Sequence, residues 1–133
     1  MAQQFRSEAL ESELQKLYNV VDGVKATVIV NIDGLLVAAY PAQDDENPHH
    51  NPTSSPQVAA MSATLIGLAE KTLGRLAQGE LERLLMQGED GTMVVYPAGR
   101  TAVAVLVEKD AYMARVLYAT KQAADEVARI LGV

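Results

Sequence analysis

The chain has 133 residues, a formal net charge of −6, an apolar fraction of 49% and no cysteine. That length supports one hydrophobic core and not two, so residues 1–133 are read as a single domain. The acidic balance argues against nucleic acid and anionic lipid surfaces as partners, since both require a basic patch. The missing thiols exclude disulfides, thiol catalysis and cysteine-bound metal. The opening MAQQFRSEAL lacks the basic-then-apolar order of a signal peptide, and no apolar run approaches the ~20 residues of a membrane span. The expectation is a soluble cytoplasmic protein.

In chain order, Leu10, Leu14, Leu17 and Val21 recur at intervals of four, three and four, which predicts a helix over about 6–21. Ser7 is a possible cap, and Asp22-Gly23 ends it. Two β-rich runs, about 25–32 and 35–40, flank Asp33-Gly34. Asp-Gly between such runs signals a hairpin, through a type I′ turn with positive φ at both central residues. A catalytic role for Asp33 lacks a partner to make it a base.

Residues 41–56, PAQDDENPHHNPTSSP, hold four of the chain's five prolines and no periodicity. They predict a long, mobile, solvated loop. His49 and His50 lie near Asp44, Asp45 and Glu46, but adjacent side chains on extended backbone point apart, so no metal site is expected.

The next stretch, PQVAAMSATLIGLAEKTLGRLAQG, predicts one long helix with Ser55 as N-cap, Pro56 at the first position and Gly79 past the last turn. On a helical wheel, Val58, Met61, Leu65, Leu68, Ala69 and Leu76 form one apolar strip. Ala59, Ala63, Ile66, Leu73 and Ala77 form a second, with Gly67 and Gly74 at its edge. Together they span roughly 220°, where a helix lying on one core needs ~100° or a little more. One strip therefore faces the chain's own sheet and the other a second copy, unless the helix is sandwiched within a single molecule. The small residues Ala59, Ala63, Gly67 and Gly74 would let another backbone come close.

Three strands follow, about 80–87, 92–96 and 102–107, with turns at 89–91 and 97–100. The first also has helix propensity and could extend the preceding helix, although Gly79 argues against this. The run Val103 to Val107 is apolar on both faces and belongs mid-sheet. A last helix, about 111–131 and capped by Asp110, turns Met113, Val116, Leu117, Thr120, Ala124, Val127 and Leu131 inward. The fold class is α+β, in the order α-ββ-α-βββ-α. The five-stranded sheet is mostly antiparallel, with the first and last helices on one face and the central helix on the other.

Catalytic signatures are missing from this sequence: it has no phosphate loop, dinucleotide fingerprint, G-x-S-x-G or H-E-x-x-H. No enzyme activity, cofactor or metal is expected. Glu70 reads as a rim or interface salt-bridge partner and Arg100 as a surface arginine in a turn.

The element order, together with VIVNIDGLLVAA, the small-residue-rich central helix, EDGTMVVYPAG and AVAVLV, resembles the roadblock family over about 10–131. This is the dynein light-chain family, and its bacterial members include regulators of gliding-motility GTPases. The resemblance implies a profilin-like sandwich that pairs as a homodimer, with central helices meeting and third strands joining into one continuous sheet. It further implies a small Ras-like GTPase bound across the paired helices. GTP hydrolysis would be stimulated by reorganising the GTPase's own site, without an arginine finger. A dimeric scaffold or light chain with no effect on the nucleotide is the alternative. On this chain the resemblance places Ala59, Ala63, Ile66, Gly67, Glu70, Leu73 and Gly74 toward the second copy. It places Thr64, Lys71 and Arg75 toward the GTPase. The loop at 41–56 is longer than the family pattern and leaves the partner footprint open.

Overall fold

The β-rich runs pair into one five-stranded sheet in a computed structural model that describes residues 2–41 and 56–132. The elements are α1 (Ala2–Val20), β1 (Val24–Asn31), β2 (Leu36–Tyr40), α2 (Pro56–Arg75), β3 (Leu84–Gln87), β4 (Gly91–Ala98), β5 (Thr101–Glu108) and α3 (Met113–Leu131). The strand order is β2-β1-β5-β4-β3, and every neighbouring pair is antiparallel. β5 sits at the centre, as its apolar character on both faces predicts.

Alternation along each strand splits the core in two. On one face α1 contributes Leu10, Leu14 and Leu17, and α3 contributes Val116, Ala123, Ala124 and Val127. These close over Ile29, Val94, Tyr96, Val103, Val105 and Val107. On the other face Ala59 and Ile66 of α2 meet Val28, Val30, Val95, Ala102 and Ala104. α1 is further tied to the sheet by buried Thr27, whose Oγ1 lies 3.2 Å from the Leu14 carbonyl and 3.2 Å from the Tyr40 carbonyl. One hydroxyl proton serves both acceptors in turn. The Tyr18 and Tyr40 rings meet edge-to-face at 5.1 Å.

Several boundaries differ from the sequence expectation. α1 starts at Ala2, so Ser7 lies inside the helix on an exposed position rather than capping it. α3 starts at Met113 behind Tyr112, with no side-chain cap. Asp110 instead falls in a turn closed by the Ala111 amide donating to the Glu108 carbonyl at 3.1 Å. Ser55 and the loop between β2 and α2 lie outside the described residues.

α2 stops at Arg75, short of Gly79. The Gln78 amide donates to the Leu73 carbonyl at 2.9 Å and the Ala77 amide to the Gly74 carbonyl at 3.1 Å. This is a Schellman closure, with Ala77 in the left-handed region at φ +56°. β3 is consequently four residues long rather than eight, because residues 76–83 are spent leaving the helix. The β1–β2 turn also differs from type I′: Gly34 has φ +94°, while Asp33 stays at negative φ. The Gly34 amide donates to the Asn31 carbonyl at 2.9 Å and the Asn31 amide to the Leu35 carbonyl at 2.8 Å. A type I turn followed by a left-handed glycine gives this pattern.

Two substitutions test the backbone with opposite signs. A Cβ on Gly91 would stand 2.7 Å from the Val107 carbonyl oxygen, so Gly91→Ala is expected to cost about 1–3 kcal/mol. Ala77→Gly relieves a left-handed alanine and is expected to add up to about 1 kcal/mol. Urea unfolding of both variants beside the parent chain measures the two differences.

Candidate partner-binding surface

α2 buries little of itself. Only Ala59, Ser62 and Ile66 of its residues are buried, at 0%, 3% and 4% exposure. Their spacing of three and four places them on one line of the helix, which is the line resting on the sheet. Ala59 and Ile66 therefore belong to the core of the single chain and are removed from any surface a second copy could touch. This corrects the expectation that both face outward to a partner. The expectation failed because the wheel shows two apolar strips, and spacing does not say which one the sheet takes.

The other residues expected to meet a second copy lie at or near the surface. Ala63, Gly67 and Leu73 are half-buried, while Glu70 and Gly74 are exposed. A Cβ built on Gly67 or Gly74 would meet nothing within 4 Å, so both glycines border open space. Thr64, Lys71 and Arg75, expected to face a GTPase, are all exposed on the side turned away from the sheet. Thr64 donates its hydroxyl to the Ala60 carbonyl at 3.0 Å.

The sequence reading assigned Met61, Leu68 and Leu76 to a strip but to no surface, and the structure leaves them 63%, 56% and 61% exposed. The β1–β2 hairpin adds Ile32 at 51% and Leu35 at 67%. This hairpin is held firmly. The Ile32 amide donates to the Arg100 carbonyl at 3.0 Å, and Asn31 Oδ1 accepts from the Asp33 amide at 2.8 Å. A Cβ at Gly34 would stand 3.3 Å from the Ala60 Cα, so the turn packs against the first turns of α2. The sequence reading placed Ile32 and Leu35 at the ends of strand runs and gave them no role, since residues flanking a turn carry no signal of exposure.

The opposite side of the molecule carries a groove of about 680 Å³ between α1 and α3, lined by Glu13, Lys16, Val20, Gln122, Glu126 and Arg129 among others. Its charges compensate one another. The Arg129 guanidinium bonded to Glu126 holds that carboxyl below its ordinary range, and Glu126 raises Arg129 in return. Lys121 pairs with Asp125 at 3.3 Å. Among the described residues no three His, Cys, Asp or Glu side chains gather as a metal site. No helix among them is long and apolar enough to cross a membrane.

A two-helix layer, an antiparallel sheet and a lone helix on the far face define a three-layer α+β domain. Residues 10–108 match the Roadblock/LC7 domain model, and the chain belongs to that family. An uncharacterized protein of Methanocaldococcus jannaschii is 28% identical over 110 residues, covering 82% of this chain and 89% of that one. The gliding protein MglB of Thermus thermophilus superposes with a TM-score of 0.79 at 17% identity, over 94% of this chain and 90% of its own. A structure described as MglB with a tetrameric arrangement superposes with a TM-score of 0.76 at 20% identity, over 94% and 89%.

Burial separates the two strips of α2 energetically. Ile66→Ala is expected to lower the unfolding free energy by about 2–4 kcal/mol. Leu68→Ala, at a dilution where the chain is a single molecule, is expected to cost less than about 1 kcal/mol. Denaturant unfolding at that dilution compares them.

Proposed function

We propose that this chain is a self-associating, cytoplasmic regulator that binds a small Ras-like GTPase through the outer face of α2. The observation that carries the reading is the half-used central helix: three residues seat it on the sheet, while Met61, Leu68 and Leu76 stay more than half exposed. Exposed aliphatic side chains of this size along one helix mark an interaction surface. Membership of the Roadblock/LC7 family supports it, as does the MglB structure with a tetrameric arrangement, which is a self-associated relative.

The chain contributes no nucleophile, metal or cofactor in this reading. Nucleotide chemistry is carried by the GTPase's own phosphate loop, magnesium and water-positioning residue. Binding selects the arrangement of those groups that hydrolyses GTP, and Thr64, Lys71 and Arg75 supply the polar contacts. An arginine finger is not required.

GTP turnover by purified small Ras-like GTPases, with and without this protein, is expected to rise roughly tenfold or more for the cognate one, a barrier lowered by about 1.4 kcal/mol. Leu68→Arg is expected to abolish the increase. Binding without any change in turnover would favour a scaffold subunit. Neither binding nor stimulation across the panel would remove the GTPase from the reading.

A further inference from the structure

The face of the molecule turned away from α2 has an open furrow of its own, between α1 and α3. The Glu108 amide donates to the Gly23 carbonyl at 2.8 Å, which ties the exit of α1 to the approach of α3 at one end of the sheet. From that end α1 lines the furrow with Val20, Lys16 and Glu13, at intervals of four and three. α3 answers with Ala119, Gln122 and Glu126, at intervals of three and four. Each helix thus offers one row of side chains, and the valley between two such rows has the shape that a third helix fills.

The furrow is graded along its length. In its far part the charges satisfy one another, Arg129 bonding to Glu126 and Lys121 to Asp125. Toward the near end its flanks become apolar. Val20 and Tyr118 are each more than half exposed, and the Tyr118 hydroxyl accepts from Gln122 Nε2 at 3.0 Å, which holds the ring beside the groove. Val21, next in the chain to Val20, lines a second depression of about 330 Å³ together with Asp22, Glu108, Asp110, Tyr112 and Arg115. None of these three carboxylates enters an ion pair among the described residues, and Arg115 is the one cation lining the depression. The end of α1 and the start of α3 meet here, so their helix dipoles oppose one another and the carboxylates set the sign. Tyr112, also more than half exposed, stands at the lip.

We propose that this furrow is a second docking surface, for an amphipathic helical segment of another protein whose basic end seats among Asp22, Glu108 and Asp110. Exposed valine and tyrosine side chains supply the apolar contact in the middle, and tyrosine is among the residues that anchor interfaces. The uncompensated carboxylates fix the direction. A lysine or arginine is drawn to that end, whereas a reversed segment leaves its cation among groups already paired. A second copy of this chain, itself at a net charge of −6, brings more carboxylates than cations to the same place. The furrow and α2 lie on opposite faces of the sheet, so both can be engaged at once and the chain then couples two proteins.

A phage-displayed library of helical peptides about 14 residues long, roughly 21 Å, is selected against the full chain. Enriched peptides are expected to share aliphatic residues three or four apart and a lysine or arginine at one end. Synthetic copies of an enriched peptide, followed by fluorescence anisotropy, are expected to bind Val20→Asp roughly tenfold or more weakly than the parent chain. Asp110→Lys is expected to weaken binding about fivefold at low salt and less at high salt. Both positions are exposed, so the fold is retained, and Leu68→Arg is expected to bind the peptide as the parent does. Peptides that lose binding with Leu68→Arg and keep it with Val20→Asp belong to α2 and overturn the proposal. A selection that enriches nothing overturns it as well. Binding that Asp110→Lys leaves unchanged overturns the basic-end assignment. A sedimenting mass that falls with Val20→Asp would assign the furrow to a second copy and overturn the docking of another protein.

Discussion

The molecule depends on how unequally its single sheet is covered. Two helices share one face and interlock with it through Leu14, Val116, Val127 and the inward side of β5. The other face receives one helix, whose Ala59 and Ile66 meet Val28, Val30, Val95, Ala102 and Ala104 of the strands beneath. The seat is firm at Ala59 and Ile66 and narrow elsewhere. A helix held by a narrow line keeps most of its circumference available.

The hairpin beside this surface is held by backbone hydrogen bonds as well as by packing. The β1–β2 turn is closed by its own bonds, fastened to the β4–β5 turn through Ile32 and Arg100, and braced on α2 at Ala60. Ile32 and Leu35 are thereby presented from a turn with little freedom to rearrange. An apolar side chain on a fixed turn loses less entropy on contact than one on a loose loop. Thr64 and Thr72 behave comparably on the helix, each satisfying its hydroxyl on the carbonyl four residues back.

Periodicity made the architecture legible. The four-three-four spacing of Leu10, Leu14, Leu17 and Val21, the doubly apolar run at Val103, and the glycine punctuation at Gly23 each report a local rule that the tertiary structure respects. Element ends were less legible, because α2 closes through Ala77, a residue type that carries no left-handed signal. The surface assignment was half legible. The breadth of apolar residues on α2 showed that more than one face is in use. It did not show that the sheet would choose the line through Ala59 and Ile66, because that choice depends on strand residues, Val28, Val30, Val95, Ala102 and Ala104, lying far away in sequence. The exposed Ile32 and Leu35 were hidden for a related reason: a hairpin signal names the turn and is silent about what lies beyond it.

The two margins of the sheet are built differently. β3 pairs with β4 in unbroken register from Leu84 to Gln87. β2 pairs with β1 through a slip, since Ile29 faces Ala38 while Val30 faces Leu36, and Val37 is left over. A guest strand laid along β2 would inherit that one-residue offset and a local kink. Kinked borders are how sheet proteins avoid endless stacking. A polypeptide with one clean border and one kinked border offers a guest strand regular pairing along β3 alone, and a single extra valine makes the difference.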